Sequence, residues 1–119
     1  MSLEFTIEFY ETVGRHCPVQ DFLDILKATD PGDFASVLAG LAKLRNPQYH
    51  REPLSKALGK GLYELRHVGK LNTRVLWFFM QRRRIVVVHG IRNKGRTISS
   101  RDLETAQDRM RDWRSRMGI

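Results

Sequence analysis

Five cations in two short stretches offer the chain's clearest prospect of chemistry: Arg66 and Arg74 flank the turn "VGKLN", and Arg92, Lys94 and Arg96 fall within "IRNKGRT". If one strand ends near Arg66, the next starts near Arg74 and a third ends just before Arg92, their charged groups converge on one side of a sheet. Donors fixed around a phosphate stabilise the negative charge that grows as the phosphorus becomes five-coordinate. Plainer roles stand beside this chemistry. Arg66 could pair with Glu64 or with an acid on a helix, and Arg74 could anchor its turn. Side-chain alternation sets Arg66 with Glu64 and opposite Tyr63 and Leu65, so Arg66 is expected to point away from the face that buries Leu65.

The other polar groups are less specific. Arg82, Arg83 and Arg84 form a hairpin tip, which reads first as a solvated turn and second as a nonspecific phosphate contact. His67 follows Arg66 but alternates to the other face, which weakens it as a general base. His89 shares parity with Ile85, Val87 and Ile91 and reads as a satisfied, partly buried histidine. No histidine pair has metal-ligand spacing and Cys17 is the only cysteine, so neither a metal site nor another cofactor is expected. "GKG" at 59–61 lacks the strand-loop-helix setting of a nucleotide-binding loop. Ser99 and Ser100 read as helix-capping residues, with Asp102 three beyond Ser99.

The elements that must position these groups follow from patterning. "LEFTIEFY" alternates Phe5, Ile7 and Phe9 with polar residues and predicts a half-buried strand. Pro18 suits a helix start, and Val19, Phe22, Leu23 and Leu26 share one helical face. Asp30-Pro31 starts a second helix, with Phe34, Val37, Leu38, Leu41 and Leu44 on its apolar side, and Asn46-Pro47 ends it. After a polar loop, residues 61–67, 73–81 and 84–91 predict three strands of an antiparallel meander. The last two are apolar on both parities, so both faces of the sheet must be covered. A final helix with Leu103, Ala106, Met110, Trp113 and Met117 at three-to-four spacing can pack beside one face, the helical hairpin covering the other. The remaining surface of that helix carries Arg101, Arg109, Arg111, Arg114 and Arg116, suited to a nucleic-acid backbone or an acidic partner. The expectation is one α+β domain over residues 1–119, a twisted antiparallel sheet with a helical hairpin on one side, in the order β-α-α-β-β-β-α.

Composition narrows the class of partner. Residues 1–59 hold 6 Lys/Arg against 8 Asp/Glu, whereas 60–119 hold 15 against 5, so the net charge of +8 comes from the second half. Such a surface attracts phosphate chains or acidic protein segments through a salt-sensitive field. No apolar run is long enough for a membrane span, and "MSLEFTIEFYE" lacks the features of a secretory signal. With one cysteine, a reducing cytoplasm is the expected compartment.

The succession "GLYELR", "NTRVLWFF" and "IVVVHGIRNKGRTISSRDLETAQDRMRDW" resembles the RelE/HigB-like toxins of bacterial type II toxin-antitoxin systems, including phage-related members of the RelE/ParE superfamily. "EFYETVGRHCPVQDFLDIL" is similar to the entry strand and helical hairpin of that group. The resemblance implies a metal-independent endoribonuclease that cuts mRNA on the ribosome. In that chemistry the ribose 2′-OH attacks the adjacent phosphate, leaving a cyclic phosphate and a free 5′-OH. By matching positions, Arg66 and Lys94 would stabilise the phosphate, while Arg92 and Arg96 would hold the RNA backbone beside it. Arg74 matches an arginine common at the start of the third strand of the group, and Arg82 and Arg83 are further candidates for RNA contact. Asn93 stands where the first lysine of a basic pair is common, Ser99 where a proline usually opens the last helix, and no tyrosine follows Tyr63. The general base is therefore unassigned among Lys94, a loop histidine and catalysis by positioning and charge. The resemblance also implies a cognate antitoxin, along with the ribosome and mRNA as partners. Two other readings stand beside it: a ParE-like toxin that inhibits gyrase by binding, and a non-catalytic nucleic-acid-binding module.

Overall fold

The computed structural model describes residues 4–66, 72–93 and 97–118. Strand β1 (Thr6–Phe9) is followed by helices α1 (Pro18–Thr29) and α2 (Pro31–Lys43), and a 3-10 turn at Pro47–Tyr49 leads into the sheet. Strands β2 (Ser55–Gly59), β3 (Leu62–Arg66), β4 (Asn72–Met80) and β5 (Arg84–Asn93) come next, and α3 (Ser100–Arg116) closes the chain. The architecture is α+β, with one five-stranded sheet in the order β1-β5-β4-β3-β2.

The helix starts form for the local reasons expected. Pro18 and Pro31 occupy the first turns of α1 and α2, where a missing N–H costs nothing. The Asp30 side chain accepts from the Asp33 N–H, and Ser99 accepts from the Asp102 N–H, so both caps supply a partner to an otherwise unpaired donor.

Two cores lie on opposite faces of the sheet. On one, Val19, Leu23 and Leu26 of α1 and Val37 and Leu41 of α2 pack on Leu65, Val75, Trp77, Ile85 and Val87. On the other, Ala106, Met110 and Trp113 of α3 pack on Leu62, Leu76, Phe78, Val86 and Val88. This explains the double-parity apolar runs: Leu76, Trp77 and Phe78 are all fully buried, on alternating faces. Leu38 and Met117, both expected on apolar helix faces, are exposed instead.

Three features depart from the expected meander. The segment read as polar loop contains β2, an edge strand antiparallel to β3. The turn between them is "GKG", with φ of +92° at Gly59, +56° at Lys60 and +89° at Gly61, left-handed values that glycine adopts at little cost. The sheet is mixed rather than wholly antiparallel, because β1 pairs with β5 in parallel. Alternation of apolar residues specifies a strand but not its direction, and the long intervening chain lets β1 run alongside β5. Finally, the β4–β5 ladder carries a bulge: Leu76 pairs with His89 while Trp77 pairs with Val87, so Val88 is the extra residue. Beyond the bulge every β5 side chain changes face, which moves His89 to the α3 side and Arg92 to the hairpin side.

Candidate functional site

The ladders bring Arg66 and Arg74 to the same end of the sheet as Arg92. Arg66 faces Arg74 in register, Arg74 faces Ile91, and Thr73 faces Arg92. With strands about 4.8 Å apart, the Arg66 and Arg92 backbones are separated by roughly 10 Å. Lys94 and Arg96, like His67, lie outside the described residues; Asn93, the last residue of β5, is at this same end. Arg82 and Arg83 do not share the site: they form the β4–β5 turn at the far end, about nine residues or roughly 30 Å along β4.

The arginines share one end of the sheet but do not converge on one side of it as expected: Arg74 lies on the α3 face and Arg92 on the hairpin face. Arg74 is nearly buried, its Nε 3.1 Å from Oε1 of Glu64 on β3. Both lie on the α3 face, and the pair ties β3 to β4. Arg92 belongs to β5 rather than to a loop after it. Turned by the bulge, its guanidinium donates to Asp30 Oδ2 at 2.5 Å, and Asp33 Oδ2 lies 3.9 Å away. Asp33 is itself buried and accepts from the Thr73 hydroxyl at 2.6 Å. Arg92 thus joins the sheet end to the start of α2. Gly90 permits the close approach of α1 beside it, since a Cβ at that position would come within 2.3 Å of the Phe22 ring.

Arg66 is the exposed one. Its Nη1 lies 3.4 Å from Glu52 Oε1, in the segment before β2, and the two side chains are 46% and 66% exposed. Strict alternation would turn Arg66 towards α3. As the last residue of its strand it instead shares a cavity with Leu65 and with Ser36, Gly40 and Lys43 of α2. A second cavity of about 310 Å³ adjoins, lined by Lys43, Tyr49, Arg51, Glu52, Leu54 and Arg66. Three cations face one carboxylate around it. Lys43, Tyr49, Arg51 and Glu52 were not among the sequence candidates. The available signal is "QYHRE" at 48–52, an aromatic interleaved with charge inside an otherwise plain loop.

The arginines of α3 are largely engaged. Arg109 Nη1 donates to the Val88 carbonyl at 2.9 Å and lies 3.1 Å from His89 Nδ1. Because a guanidinium only donates, Nδ1 accepts and His89 Nε2–H donates to Asp102 Oδ1 at 2.7 Å. His89 is therefore satisfied and partly buried, as expected, but on the α3 face rather than the face of Ile85 and Val87. Burial pushes the Asp102 carboxyl up, but hydrogen bonds from His89 and Ser99 together outweigh it and hold it below the ordinary aspartate value. Arg116 bonds Asp112 and the Glu11 carbonyl, and lowers the Asp112 carboxyl, an effect Tyr10 reinforces. Arg111 pairs with Asp108, and Arg114 lies over the Phe78 ring at 5.0 Å.

Among the described residues no three His, Cys, Asp or Glu side chains gather in a metal-binding arrangement, and no helix is long and apolar enough to cross a membrane. The cationic groove can hold an anion by charge and by the two-pronged geometry of a guanidinium. A family model described as "Phage derived protein Gp49-like (DUF891)" matches residues 21–111, a stretch that includes α2, strands β2 to β5 and every residue lining this groove. No curated protein matches the chain.

Proposed function

The chain belongs to the phage-derived Gp49-like family, a toxin-like family, and from that premise we propose that it is the toxin of a toxin-antitoxin module and cleaves mRNA on the ribosome. The observation that carries this reading is Arg66: a half-exposed guanidinium at the sheet end, in a concave cationic groove, held among the described residues by a long contact to an exposed carboxylate.

In the reaction the 2′-oxygen attacks phosphorus, the P–O5′ bond breaks, and the products are a 2′,3′-cyclic phosphate and a 5′-hydroxyl. Most of the barrier lies in the charge that builds on the non-bridging oxygens. Arg66 supplies two parallel N–H groups to them, and Lys94 supplies a compact ammonium from the neighbouring loop. Arg92, fastened to Asp30, acts by bracing the chain on which Lys94 and Arg96 stand, and Arg96 contacts the RNA backbone. Arg74 acts through Glu64 to keep β3 and β4 in register, which sets where Arg66 ends. The Arg82–Arg83 tip offers a separate phosphate contact for the ribosome's RNA. A cognate antitoxin with an acidic segment neutralises the basic half of the chain.

The test is cleavage mapping on translating ribosomes with the wild type, Arg66→Ala and Lys94→Ala. Cuts present with wild type and lost in both variants, with melting unchanged, support the reading. Intact mRNA ends together with inhibited gyrase supercoiling overturn it. A second reading, binding without RNA chemistry as in a ParE-like gyrase inhibitor or a nucleic-acid-binding module, draws on the ion pairs that occupy Arg74 and Arg92. It expects inhibition of supercoiling, or nucleic-acid affinity, to persist in Arg66→Ala.

A further inference from the structure

The groove beside α2 is occupied at rest by its own side chains. Glu52 sits against the Arg66 guanidinium, where an anion would sit, at the long distance of 3.4 Å. Across the cavity Lys43 Nζ rests over the Tyr49 ring, 5.8 Å from its centroid, where a flat group would stack. The charged groups in both contacts, Glu52, Arg66 and Lys43, are exposed, where water screens charge and the net gain is small. Either is easily exchanged for a ligand that satisfies both positions at once.

The surroundings define that ligand. Arg51 is exposed and lines the same cavity, so Lys43, Arg51 and Arg66 outnumber Glu52. Tyr49 is anchored through its backbone, its carbonyl accepting from the Ser55 hydroxyl at 2.6 Å, which holds the ring at the cavity wall. An aromatic face beside cations is the combination that seats unpaired nucleotides, since bases stack on the ring while the cations follow the phosphate. A volume of about 310 Å³ is near the lower bound of ligand pockets, roughly 300 Å³, and admits one nucleotide rather than a duplex. An acidic peptide would use the cations and leave the ring idle.

We propose that this groove seats one unpaired nucleotide of an RNA strand, its base on Tyr49 and its phosphate among Lys43, Arg51 and Arg66, with Glu52 displaced from Arg66 as the phosphate enters. This rests on the RNA-cleaving reading of Arg66 and deepens it by naming a single-stranded substrate and the seat that receives it.

The experiment measures binding of a labelled 2′-O-methyl tetranucleotide, which cannot be cleaved, to the full chain and to Tyr49→Phe, Tyr49→Ala, Arg51→Ala and Glu52→Gln. Tyr49→Phe binds like wild type, and Tyr49→Ala binds about tenfold more weakly. Arg51→Ala lowers the slope of log affinity against log salt by about 0.7, the single-strand value for one phosphate contact. Glu52→Gln binds severalfold tighter, a gain that misfolding cannot mimic. Equal binding by Tyr49→Ala and Glu52→Gln overturns the seat. So does an acidic peptide that competes with the oligonucleotide and binds independently of Tyr49. Ribosome-dependent cleavage is read on the same samples to separate the two ideas. Wild-type cleavage with Tyr49-independent binding removes the seat alone, whereas Tyr49-dependent binding without wild-type cleavage supports the seat and removes the nuclease reading.

Discussion

On α3, Arg109 and Arg116 are half-buried and bonded to backbone carbonyls, whereas beside α2 the cations Lys43, Arg51 and Arg66 stand exposed around a cavity. A count of arginines alone would rank α3 first as a surface for phosphate. Availability ranks the groove first. A guanidinium already bonded to a carbonyl, a carboxylate or an aromatic face must give up that contact before it meets a ligand, and a buried acceptor left behind costs free energy of its own. The helix therefore uses arginine as a clamp, with Arg109 fastening it to β5 and Arg116 fastening it to Tyr10 and Glu11 at the end of β1. The groove keeps its cations loosely held.

The contrast is broken or sharpened most strongly by a pair of substitutions. Arg66→Ala is expected to lower ribosome-dependent cleavage by about 10²- to 10³-fold, the usual loss for one donor to a developing oxyanion. Its melting temperature stays within a degree or two, because Arg66 gives up only an exposed contact with Glu52. Arg109→Ala is expected to do the reverse. It leaves the Val88 carbonyl and His89 Nδ1 without their donor and destabilises the fold by about 1–3 kcal/mol, seen as a lower denaturant midpoint. Cleavage per folded molecule is unchanged. If Arg109→Ala folded normally and lost cleavage, α3 would be a working surface and the contrast would collapse.

Much of this was legible in the sequence, and what was not has identifiable causes. The central strands announce themselves because the middle stretches of β4 and β5, residues 75–80 and 85–88, pack on both faces and so are apolar at consecutive positions. The helix starts are written in Pro18, Asp30-Pro31 and Ser99, whose capping chemistry is local. Strand β2 is not legible in the same way: "SKALG" has little alternation, and becomes a strand by pairing with β3 across the "GKG" turn. The bulge at Val88 is hidden inside the run "IVVVHG", where an extra valine leaves no mark on an already continuous apolar pattern. That one residue reverses the face that unbroken alternation along β5 would give Arg92 and delivers it to Asp30. The groove escapes notice because Lys43, Tyr49 to Glu52, and Arg66 come from three segments whose meeting depends on tertiary packing.

The Arg82–Arg83 tip tests the contrast from the far end of the sheet. Both residues have positive φ, +61° and +57°, a conformation that costs a side-chain-bearing residue about 1 kcal/mol or more relative to glycine. Arg83→Gly is accordingly expected to raise stability by about 1 kcal/mol, less the greater unfolded-state entropy of glycine. Chemical denaturation measures it. Should the variant also weaken binding of the toxin to ribosomes while leaving its affinity for the tetranucleotide intact, the tip is a second, distant phosphate contact. Unchanged ribosome binding would make it a strained but solvated turn.

The smallest expected effect concerns acid, and it separates clamp from groove without touching a cation. Hydrogen bonds from His89 and Ser99 outweigh the opposing effect of burial and keep the Asp102 carboxyl below its ordinary value, while Arg116 above all, and Tyr10, lower that of Asp112. A carboxyl lowered on folding contributes stability that is fully present above its unfolded value, near pH 4, and is lost as the pH falls through the folded value. Stability of the α3 clamp should therefore be level from about pH 6 to 5 and decline below about pH 4. Asp102→Asn is expected to be less stable than wild type at neutral pH, and the two should converge as the solution is acidified, because wild type then loses the interaction the variant never had. Parallel pH-stability curves for wild type and Asp102→Asn would mean that the carboxylate does not hold α3 to β5, and that Arg109 with the apolar face of Ala106, Met110 and Trp113 suffices.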